Sequence, residues 1–571
     1  MTTAPATTTT TGTPVEPSTA TPRRVFSPEL SPTGLLVAGI FYTLSLFPSL
    51  LPRTSLTQGI ISGVTIVIGY GMGAAVHWAW DYVGLPRTRG RVRKVVIWTL
   101  VGIIGFMIVS ATWQHVGWQN DVRELMGMEP TSPTLWPMLA VTALLVAALL
   151  LVIGRSIRLL FTTIVAWLAR RMTGRQARLV GWIVMLTLAW GLWSGVLVNG
   201  FFTAANQIFA PRDSATDEGV VAPTSSLRSG SPDSLVAWDT LGRQGRNFVA
   251  GGPTVAELDG FHGGGAVEPI RVYAGLKSAD TNEERADLVL AELQRTGAFD
   301  RSTLLIATTT GTGFLDADGV DPLEWVTNGD TAIVGVQYSY LPSWISLLAD
   351  QQEVRDTSRA VFDRIHEHWR TLPEDDRPDI YLYGLSLGSF GVEAILDSIN
   401  IVNEPIDGVL MVGPPFVNEL HERLEQSRDE GSSASLPVVD DGRTVRFMNQ
   451  FSDPLDDEAG SATWGDTRLL YLQHASDPVV NFSTNLAFDE PDWLEPGPRG
   501  PEVADSMVWT PLVTMWQVLV DLPAAGSTPE GYAHLYDKPS NARAWAAVVE
   551  PDLTPERLAD LEALLATFPP D

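Results

Sequence analysis

Five uncharged apolar segments dominate the first 203 residues of the chain, and polar loops separate them. Each segment is close to the roughly 20 residues that a helix needs to cross the hydrocarbon core of a bilayer. The pattern therefore predicts a transmembrane domain of about five helices over residues 31–204. The apolar segments lie near 33–52, 59–80, 95–113, 135–153 and 179–203.

The charges of the connecting loops predict the direction of these helices. Basic loops stay in the cytoplasm, so the N-terminus is expected inside and everything beyond the fifth segment outside. The loop at 114–134, with Asp121, Glu124 and Glu129, then falls outside. We expect a multi-pass plasma-membrane protein with an extracytoplasmic C-terminal half. The basic residues are Arg87, Arg89, Arg91, Arg93 and Lys94 after the second segment, and Arg155, Arg158, Arg170, Arg171, Arg175 and Arg178 after the fourth.

Residues 156–172 leave the number of crossings open. Arg158 near one end and Arg170 and Arg171 at the other enclose a short apolar stretch. Such a stretch favours an interfacial helix along the inner leaflet. A sixth crossing at this place would instead put the C-terminal half in the cytoplasm.

Two polar segments flank the predicted transmembrane domain. Residues 1–30 are rich in Thr, Pro and Ala, which predicts a disordered cytoplasmic tail because they offer little apolar surface to bury. Residues 205–265 are rich in Gly, Ser, Pro and Asp. We interpret them as a tether and the entry to a second domain.

Alternating apolar strands and helices characterise residues 266–571. Repeated βα units with apolar strands predict a mainly parallel sheet covered on both faces by helices. Residues 414–465, between two core strands, are long enough to form a cap over a site. Trp464, Trp493 and Trp509 either shelter a lipid-like chain beneath that cap or fill the core. Strands are predicted at 270–276, 304–310, 331–338, 380–384, 408–413 and 468–473, and helices at 282–296, 346–370 and 389–398.

Composition agrees with a protein of two parts. The 571 residues are 45% hydrophobic, and the chain divides into residues 1–203, with a formal charge of +9, and a remainder that carries −37. So acidic a C-terminal part argues against a nucleic-acid partner, because phosphates need Lys and Arg. The chain has no cysteine, which excludes disulfides and thiol-ligated metals. No metal or organic cofactor is expected.

The segment YLYGLSLGSFG, residues 381–391, contains a G-x-S-x-G motif in a chemically informative setting. An apolar strand precedes the motif and a helix follows it, as a nucleophile elbow requires. Gly384 and Gly388 allow the close backbone approach that a strained serine needs. Ser386 is therefore the candidate nucleophile, and an ordinary strand-to-helix turn is the alternative.

The base and the acid are sought downstream, because α/β-hydrolases order their triads as serine, acid and histidine. Asp477 follows the apolar strand that ends before HASDPVV, so it is the candidate acid. His474 precedes that acid in sequence, and His421 lies on a charged helix where it would face solvent or substrate. His534, in EGYAHLYD, remains as the candidate base.

Two glycine-rich segments compete to supply the oxyanion loop. The sequence HGGG at 262–265 precedes the first predicted strand, so we interpret it as a coincidence. The sequence TTTGTGF at 308–314 follows a strand close to the nucleophile strand. The expected oxyanion donors are the backbone N–H groups of Leu387 and Thr312.

These motifs together resemble the membrane-bound α/β-hydrolase family of actinobacteria, in which a multi-pass domain is fused to a serine esterase domain. The resemblance rests on TTTGTGF, YGLSLGSFG, HASDPVV and the segment WQVLVDLPAAG at 516–526 that leads to His534. It implies a triad of Ser386, Asp477 and His534. One departure is the absence of a clear last strand before His534, because residues 509–520 have the pattern of a helix.

The expected function is a membrane-anchored serine hydrolase, esterase-like or lipase-like, that cleaves an acyl ester. The membrane anchor makes an envelope lipid or glycolipid the expected substrate, with membrane lipids as neighbours. Two alternatives stay open: an acyltransferase that uses the same triad, and a non-catalytic protein that binds a lipid or partner. The oligomeric state is not predicted.

Overall fold

The computed structural model describes residues 30–86, 90–132, 136–193, 199–398, 406–495 and 499–569. Residues 1–29 of the predicted N-terminal tail and the loop residues Arg87 and Arg89 lie outside the described residues. The described residues of the N-terminal part form the helices α1 (Pro32–Ser45), α2 (Ser55–Val83), α3 (Gly90–Leu125), α4 (Trp136–Leu168), α5 (Gly174–Gly191) and α6 (Asn199–Asp213).

Within the described residues, α2, α3 and α4 are the helices long and apolar enough to span a membrane. Their side chains present much apolar surface outward: Trp98 and Phe106 of α3 are 72% and 73% exposed. So large an exposed apolar surface marks a region that contacts lipid or other apolar partners. The prediction of membrane helices is thus supported for three segments.

The first predicted crossing is wrong as a full-length span. Helix α1 has only 14 residues, which at 1.5 Å per residue reach about 21 Å, less than the roughly 30 Å of a hydrocarbon core. It ends before Pro48, because a proline has no N–H and disfavours helical backbone before it. Leu46, Leu50 and Leu51 then bury their side chains in the following loop.

Residues 156–172 do not form a separate interfacial helix. Helix α4 runs through Arg155 and Arg158 without a break and ends at Leu168. The fourth apolar segment and the stretch after it are thus one helix of 33 residues. Charges within a helix do not break it, because arginine is a good helix former.

The second domain is built on a seven-stranded sheet in which every pair of neighbouring strands is parallel. The strand order is β1-β3-β2-β4-β5-β7-β6. Buried apolar side chains form one cluster on each face of the sheet, as a doubly covered sheet requires. The strands are β1 (Ile270–Ala274), β2 (Thr303–Thr308), β3 (Thr331–Val336), β4 (Asp379–Leu385), β5 (Gly408–Val412), β6 (Val445–Met448) and β7 (Arg468–Leu472).

Helices cover both faces of this sheet and confirm the α/β prediction. Helix α9 begins where expected because Thr281 and Glu284 form a capping box. The helices are α7 (Gly242–Ala250), α8 (Val255–His262), α9 (Asn282–Thr296), α10 (Ala317–Val326), α11 (Ser343–Ala349), α12 (Gln351–Trp369), α13 (Leu387–Leu396), α14 (Glu419–Gln426), α15 (Pro478–Asn481), α16 (Val513–Asp521), α17 (Lys538–Val549) and α18 (Pro555–Leu565).

Residues 205–265 are not only a tether, because α7 and α8 pack into the core of the second domain. Leu241, Phe248 and Val249 are buried in the cluster that also contains Tyr273 of β1. A β-carbon at Gly245 would lie 2.4 Å from the Tyr273 ring. The glycine content of this segment suggested a flexible linker, but Gly245 instead allows α7 to pack closely against Tyr273.

Residues 414–465 contribute to the sheet as well as to its surroundings. The segment contains α14 and the edge strand β6, which pairs with β7. The four residues of β6 are too few to show a clear alternating pattern. Trp464 and Trp493 are each 8% exposed, and the Trp509 indole donates to the Leu486 carbonyl at 2.9 Å. The three tryptophans thus pack against the core of the second domain, which agrees with the interpretation that they fill the core.

The two parts of the chain meet in a shared apolar cluster. Leu50 and Leu51 of the loop between α1 and α2, and Val122 and Met126 at the end of α3, pack there with residues of the second domain. Those residues include Val518 of α16. The N-terminal helical part therefore contacts α16, the helix that leads toward His534.

Candidate active site

Ser386 lies in a tight turn between β4 and α13. Its backbone has φ of 53°, in the left-handed region that a side chain rarely adopts. A β-carbon at Gly384 would lie 2.3 Å from the Gly388 carbonyl carbon, and one at Gly388 would lie 2.4 Å from the Thr308 carbonyl oxygen. Both glycines are thus required by close backbone packing, and the strained serine has the geometry of a nucleophile elbow.

Asp477 and His534 form a direct side-chain pair. The distance from His534 Nδ1 to Asp477 Oδ2 is 2.6 Å. A carboxylate only accepts, so Nδ1 donates and Nε2 of the neutral ring carries the lone pair. The Asp477 side chain is fully buried, whereas that of His534 is 16% exposed. The pair thus fixes the tautomer of the His534 ring and leaves Nε2 as the available acceptor.

The histidine ring lies beside the turn that carries Ser386. The Ser386 N–H donates to the Val412 carbonyl at 2.8 Å. A β-carbon on the next residue, Gly413, would lie 2.8 Å from His534 Cε1. Among the described residues, His534 Nε2 is buried and has no hydrogen-bond partner. Ser386 and His534 therefore both lie next to the Val412–Gly413 segment, and their side chains are not hydrogen-bonded to each other.

Buried contacts keep the Asp477 carboxylate ionised. Burial alone raises the pKa of Asp477, but the adjacent His534 and the donors Val479 N–H and Tyr536 hydroxyl lower it, and the net pKa falls below 3.8. The Tyr536 hydroxyl donates to Asp477 Oδ2 at 2.8 Å. An ionised acid can hold the imidazole and stabilise its protonated form.

The proposed oxyanion donors lie at the same edge of the sheet. Leu387 is the first residue of α13, where backbone N–H groups lack partners within the helix. Thr312 lies in the loop after β2, and Thr308 of β2 pairs with Gly384 of β4. Leu387 follows β4 and Thr312 follows β2, so both predicted donors come after the carboxyl ends of neighbouring strands.

A buried glutamine connects the Thr312 loop to the last helix of the N-terminal part. Gln337 Nε2 donates to the Thr312 carbonyl at 3.1 Å and to Asp213 Oδ1 at 2.9 Å. Asp213 is the last residue of α6. The loop conformation thus depends on a contact between the two parts of the chain, which the sequence pattern did not indicate.

The other candidate histidines have structural contacts. His421 is 6% exposed, so the expectation that it faces solvent or substrate is wrong; its Nε2 lies 2.6 Å from Gln473 Oε1. Burial lowers the pKa of both His421 and His474 to about 4, which keeps both rings neutral. His262 of the HGGG segment donates to the Trp325 carbonyl and lines a cavity with Thr303 and Asp379, at the opposite edge of the sheet.

Two residues beside the predicted triad, Ser476 and Tyr536, were not identified from the sequence. Ser476 Oγ accepts from the Ala533 N–H at 2.9 Å, and His474 Nδ1 donates to the Ala533 carbonyl at 2.9 Å. Tyr536 stacks on His474 and bonds to Asp477. Ser476 precedes the predicted acid and Tyr536 lies two residues after the predicted base, and this proximity in sequence was the available signal. The contacts themselves could not be read from the sequence, because each joins residues more than 50 positions apart.

Comparison with protein families agrees with this architecture. Residues 270–561 match the model of an alpha/beta-hydrolase family, and residues 46–253 match the model of the N-terminus of that family. The first match alone covers more than half of the chain. No curated protein matches the chain.

Proposed function

Because the chain belongs to the alpha/beta-hydrolase family, we propose that it is a membrane-anchored serine hydrolase that cleaves an acyl ester. Ser386 is the nucleophile, His534 the general base and Asp477 the acid that orients the histidine. The observation that carries the proposal is the 2.6 Å contact of Asp477 and His534 beside the strained backbone of Ser386. A non-catalytic binding protein would have no need of this arrangement.

In the first half of the reaction, Ser386 Oγ forms a bond to the ester carbonyl carbon as its proton moves to His534 Nε2. The carbonyl oxygen becomes an oxyanion, to which the Leu387 and Thr312 N–H groups donate. The intermediate collapses, the ester C–O bond breaks, and the alkoxide takes the proton from His534. An acyl-enzyme and a free alcohol result.

In the second half, water attacks the acyl carbon and gives a proton to His534. The bond to Ser386 Oγ breaks, the serine recovers that proton, and a carboxylic acid leaves. Ser386 is partly exposed, which supports access of water and therefore hydrolysis. If an alcohol took the place of water, the same steps would produce acyl transfer and a new ester.

The contacts of the helices support an extracytoplasmic catalytic domain. The loop expected at 114–134 is helical as far as Leu125, so Asp121 and Glu124 lie at the end of α3. Val122 and Met126, beside these acidic residues, pack against the hydrolase domain. The basic residues Arg91 and Arg93 lie at the other end of α3. Because basic ends stay in the cytoplasm, the hydrolase domain is proposed to face outward. This position makes an envelope lipid or glycolipid ester the proposed substrate.

The test uses a membrane-impermeant fluorophosphonate, which reacts covalently with activated serines, on intact cells. Wild-type protein should be labelled, whereas Ser386→Ala and His534→Ala should not. Ser398→Ala is the matched control, because Ser398 is an exposed serine just after α13, the helix that follows Ser386.

Each result has a direct interpretation. Unchanged labelling of Ser386→Ala would refute the nucleophile. Labelling only after the cells are broken would refute the orientation. Product analysis with an ester and a long-chain alcohol then separates a free acid, expected for hydrolysis, from a new ester, which would show acyl transfer.

A further inference from the structure

A cavity of about 560 Å³ lies where the membrane helices meet the hydrolase domain. This size falls in the range of small-ligand pockets. Its wall includes Arg53 and Gln119 from the helical part, and Pro523 and Ala524 from the hydrolase domain. Ser386, Asp477 and His534 do not line this cavity. We refer to it as the junction cavity.

Two buried hydrogen-bond donors of the junction cavity have no acceptor in the part of the chain that the structure describes. Gln119 is 2% exposed; its Oε1 accepts from the Arg53 N–H at 2.7 Å, but its Nε2 has no partner among the described residues. The indole nitrogen of Trp136 is likewise buried without a partner there. An indole N–H can only donate. An unpaired buried donor costs free energy, so both groups point to a ligand that accepts hydrogen bonds.

The charges around the junction cavity favour an anionic acceptor. Arg53 and Arg123 line it, and Asp521 is its acidic residue. Asp521 is already engaged: Oδ1 accepts from Arg53 Nε at 2.9 Å, and Oδ2 accepts from Arg53 Nη2 at 3.0 Å and from Ser49 Oγ at 2.6 Å. The lining therefore carries one more positive than negative charge. A phosphate group, with several acceptor oxygens, fits these donors.

The position of the junction cavity is that of a lipid headgroup. Ser55 begins α2, Gln119 lies near the end of α3, and Trp136 begins α4. Among the described residues, these are the helices long and apolar enough to span a membrane, and the cavity lies at the same end of each. Tryptophan is typical of the level where headgroups lie. Leu51 and Leu139 add apolar surface to the wall, which suits the carbon chain next to a headgroup.

We propose that the junction cavity binds the phosphate group of an anionic amphiphile through Gln119 Nε2 and the Trp136 indole N–H. This site is distinct from the proposed catalytic serine. Ala524 lines the junction cavity, and the carbonyl of the next residue, Ala525, accepts a hydrogen bond from the backbone N–H of His534 at 3.2 Å. A bound phosphate group would thus stabilise the segment that leads to His534.

The test measures binding to the purified full-length protein in a neutral detergent by titration calorimetry. The probes are dioctanoyl phosphatidic acid, inorganic phosphate and dioctanoylglycerol, which has the same chains without the phosphate. We expect the phosphatidic acid to bind, and Gln119→Leu and Trp136→Phe each to weaken binding about tenfold, the effect of one hydrogen bond to a charged group. Dioctanoylglycerol should not bind detectably.

Matched controls of the same residue types lie on α3, the helix that carries Gln119. Gln114→Leu and Trp98→Phe alter exposed side chains of α3 and should leave binding unchanged. Ser386→Ala should also bind normally, so that a failure of this site and a failure of the proposed catalysis are separate results. If Gln119→Leu fails to fold, Trp136→Phe still tests the site, because it removes the indole N–H and retains an aromatic ring.

The three probes distinguish the source of the phosphate. Binding of phosphatidic acid alone identifies a lipid headgroup, and comparable binding of inorganic phosphate identifies a free or soluble phosphate; either supports the proposal if Gln119 and Trp136 are required. Equal binding of dioctanoylglycerol would overturn it. Binding that neither substitution weakens, or no binding of either phosphate probe, would overturn it as well.

Discussion

Arg53 and Asp521 form a two-point ion pair that joins the membrane helices to the hydrolase domain. Arg53 Nε and Nη2 donate to Asp521 Oδ1 and Oδ2 at 2.9 and 3.0 Å. The side chains are 2% and 1% exposed. Asp521 is the last residue of α16, only 13 positions before His534 in the sequence. The pair therefore connects the membrane part to the segment that carries the proposed base.

Loss of this pair should strongly destabilise the protein. Arg53→Met leaves a buried carboxylate without its cation, which typically costs about 3–5 kcal/mol. The same change should lower fluorophosphonate labelling, because α16 leads to the His534 loop. Thermal unfolding in detergent measures the first effect and the labelling rate measures the second.

An exposed ion pair supplies the control for Arg53. Arg364 and Asp287 are 47% and 57% exposed, so Arg364→Met should cost less than about 1 kcal/mol. The double variant Arg53→Met with Asp521→Leu should recover part of the loss, because it removes the unpaired charge. Equal stability of Arg53→Met and Arg364→Met would show that the buried pair does not hold the two parts together.

Ser476 should act as a positioning residue for His534, the proposed base. Its hydroxyl accepts from the Ala533 N–H at 2.9 Å, and Ala533 has an unfavourable φ of 52°. Ser476→Ala removes the acceptor and loosens His534, so kcat on an ester should fall about tenfold with little change in KM. Steady-state kinetics on a chromogenic ester measures both constants. Ser483→Ala is the control, and a rise in KM at constant kcat would contradict this role.

Gly388 should tolerate no side chain. The β-carbon of Gly388→Ala would lie 2.4 Å from the Thr308 carbonyl oxygen, which forces α13 away from β2. We expect a loss of about 1–3 kcal/mol in the free energy of unfolding and a loss of labelling at Ser386. Gly260→Ala, on α8 with open space around it, should instead be neutral or stabilising. Denaturant unfolding compares the two variants, and equal stability would contradict the close packing.

Glu502 should make stability fall as the pH rises. Burial raises its pKa from 4.5 to about 7, so between these pH values the folded state binds more protons than the unfolded state. The linkage relation then gives decreasing stability with increasing pH, by up to about 3 kcal/mol above pH 7. Glu502→Gln should remove the contribution of Glu502 to this dependence, while other buried carboxyl groups such as Glu425, whose pKa burial raises to about 7, keep theirs.

Thermal unfolding from pH 4.5 to 8 tests this expectation for Glu502. The Tm of Glu502→Gln minus the Tm of wild type should increase as the pH increases from 4.5 to 8, because only wild type loses the contribution of Glu502. Glu495→Gln, at an exposed position, should leave the wild-type profile unchanged. Parallel profiles for Glu502→Gln and wild type would show that Glu502 does not bind a proton on folding.

Much of the α/β domain could be predicted because its signals are local. The apolar strands, the capped helix α9 and the glycines around Ser386 are each legible within a few residues. The edge strand β6 could not be predicted, since four residues show little pattern without their partner β7. Helices α7 and α8 were missed because glycine suggested a linker, whereas Gly245 packs against Tyr273.

The sequence by itself determined the class of fold, the apolar character of the N-terminal helices and the residues proposed for the triad, because periodicity, hydropathy and motif order are properties of the chain. Only the tertiary structure decided that Asp477 contacts His534, that Gln337 links Thr312 to Asp213, and that Arg53 pairs with Asp521. Each of these contacts joins side chains from separate elements. Their distances follow from how the sheet and helices pack, which no local pattern encodes.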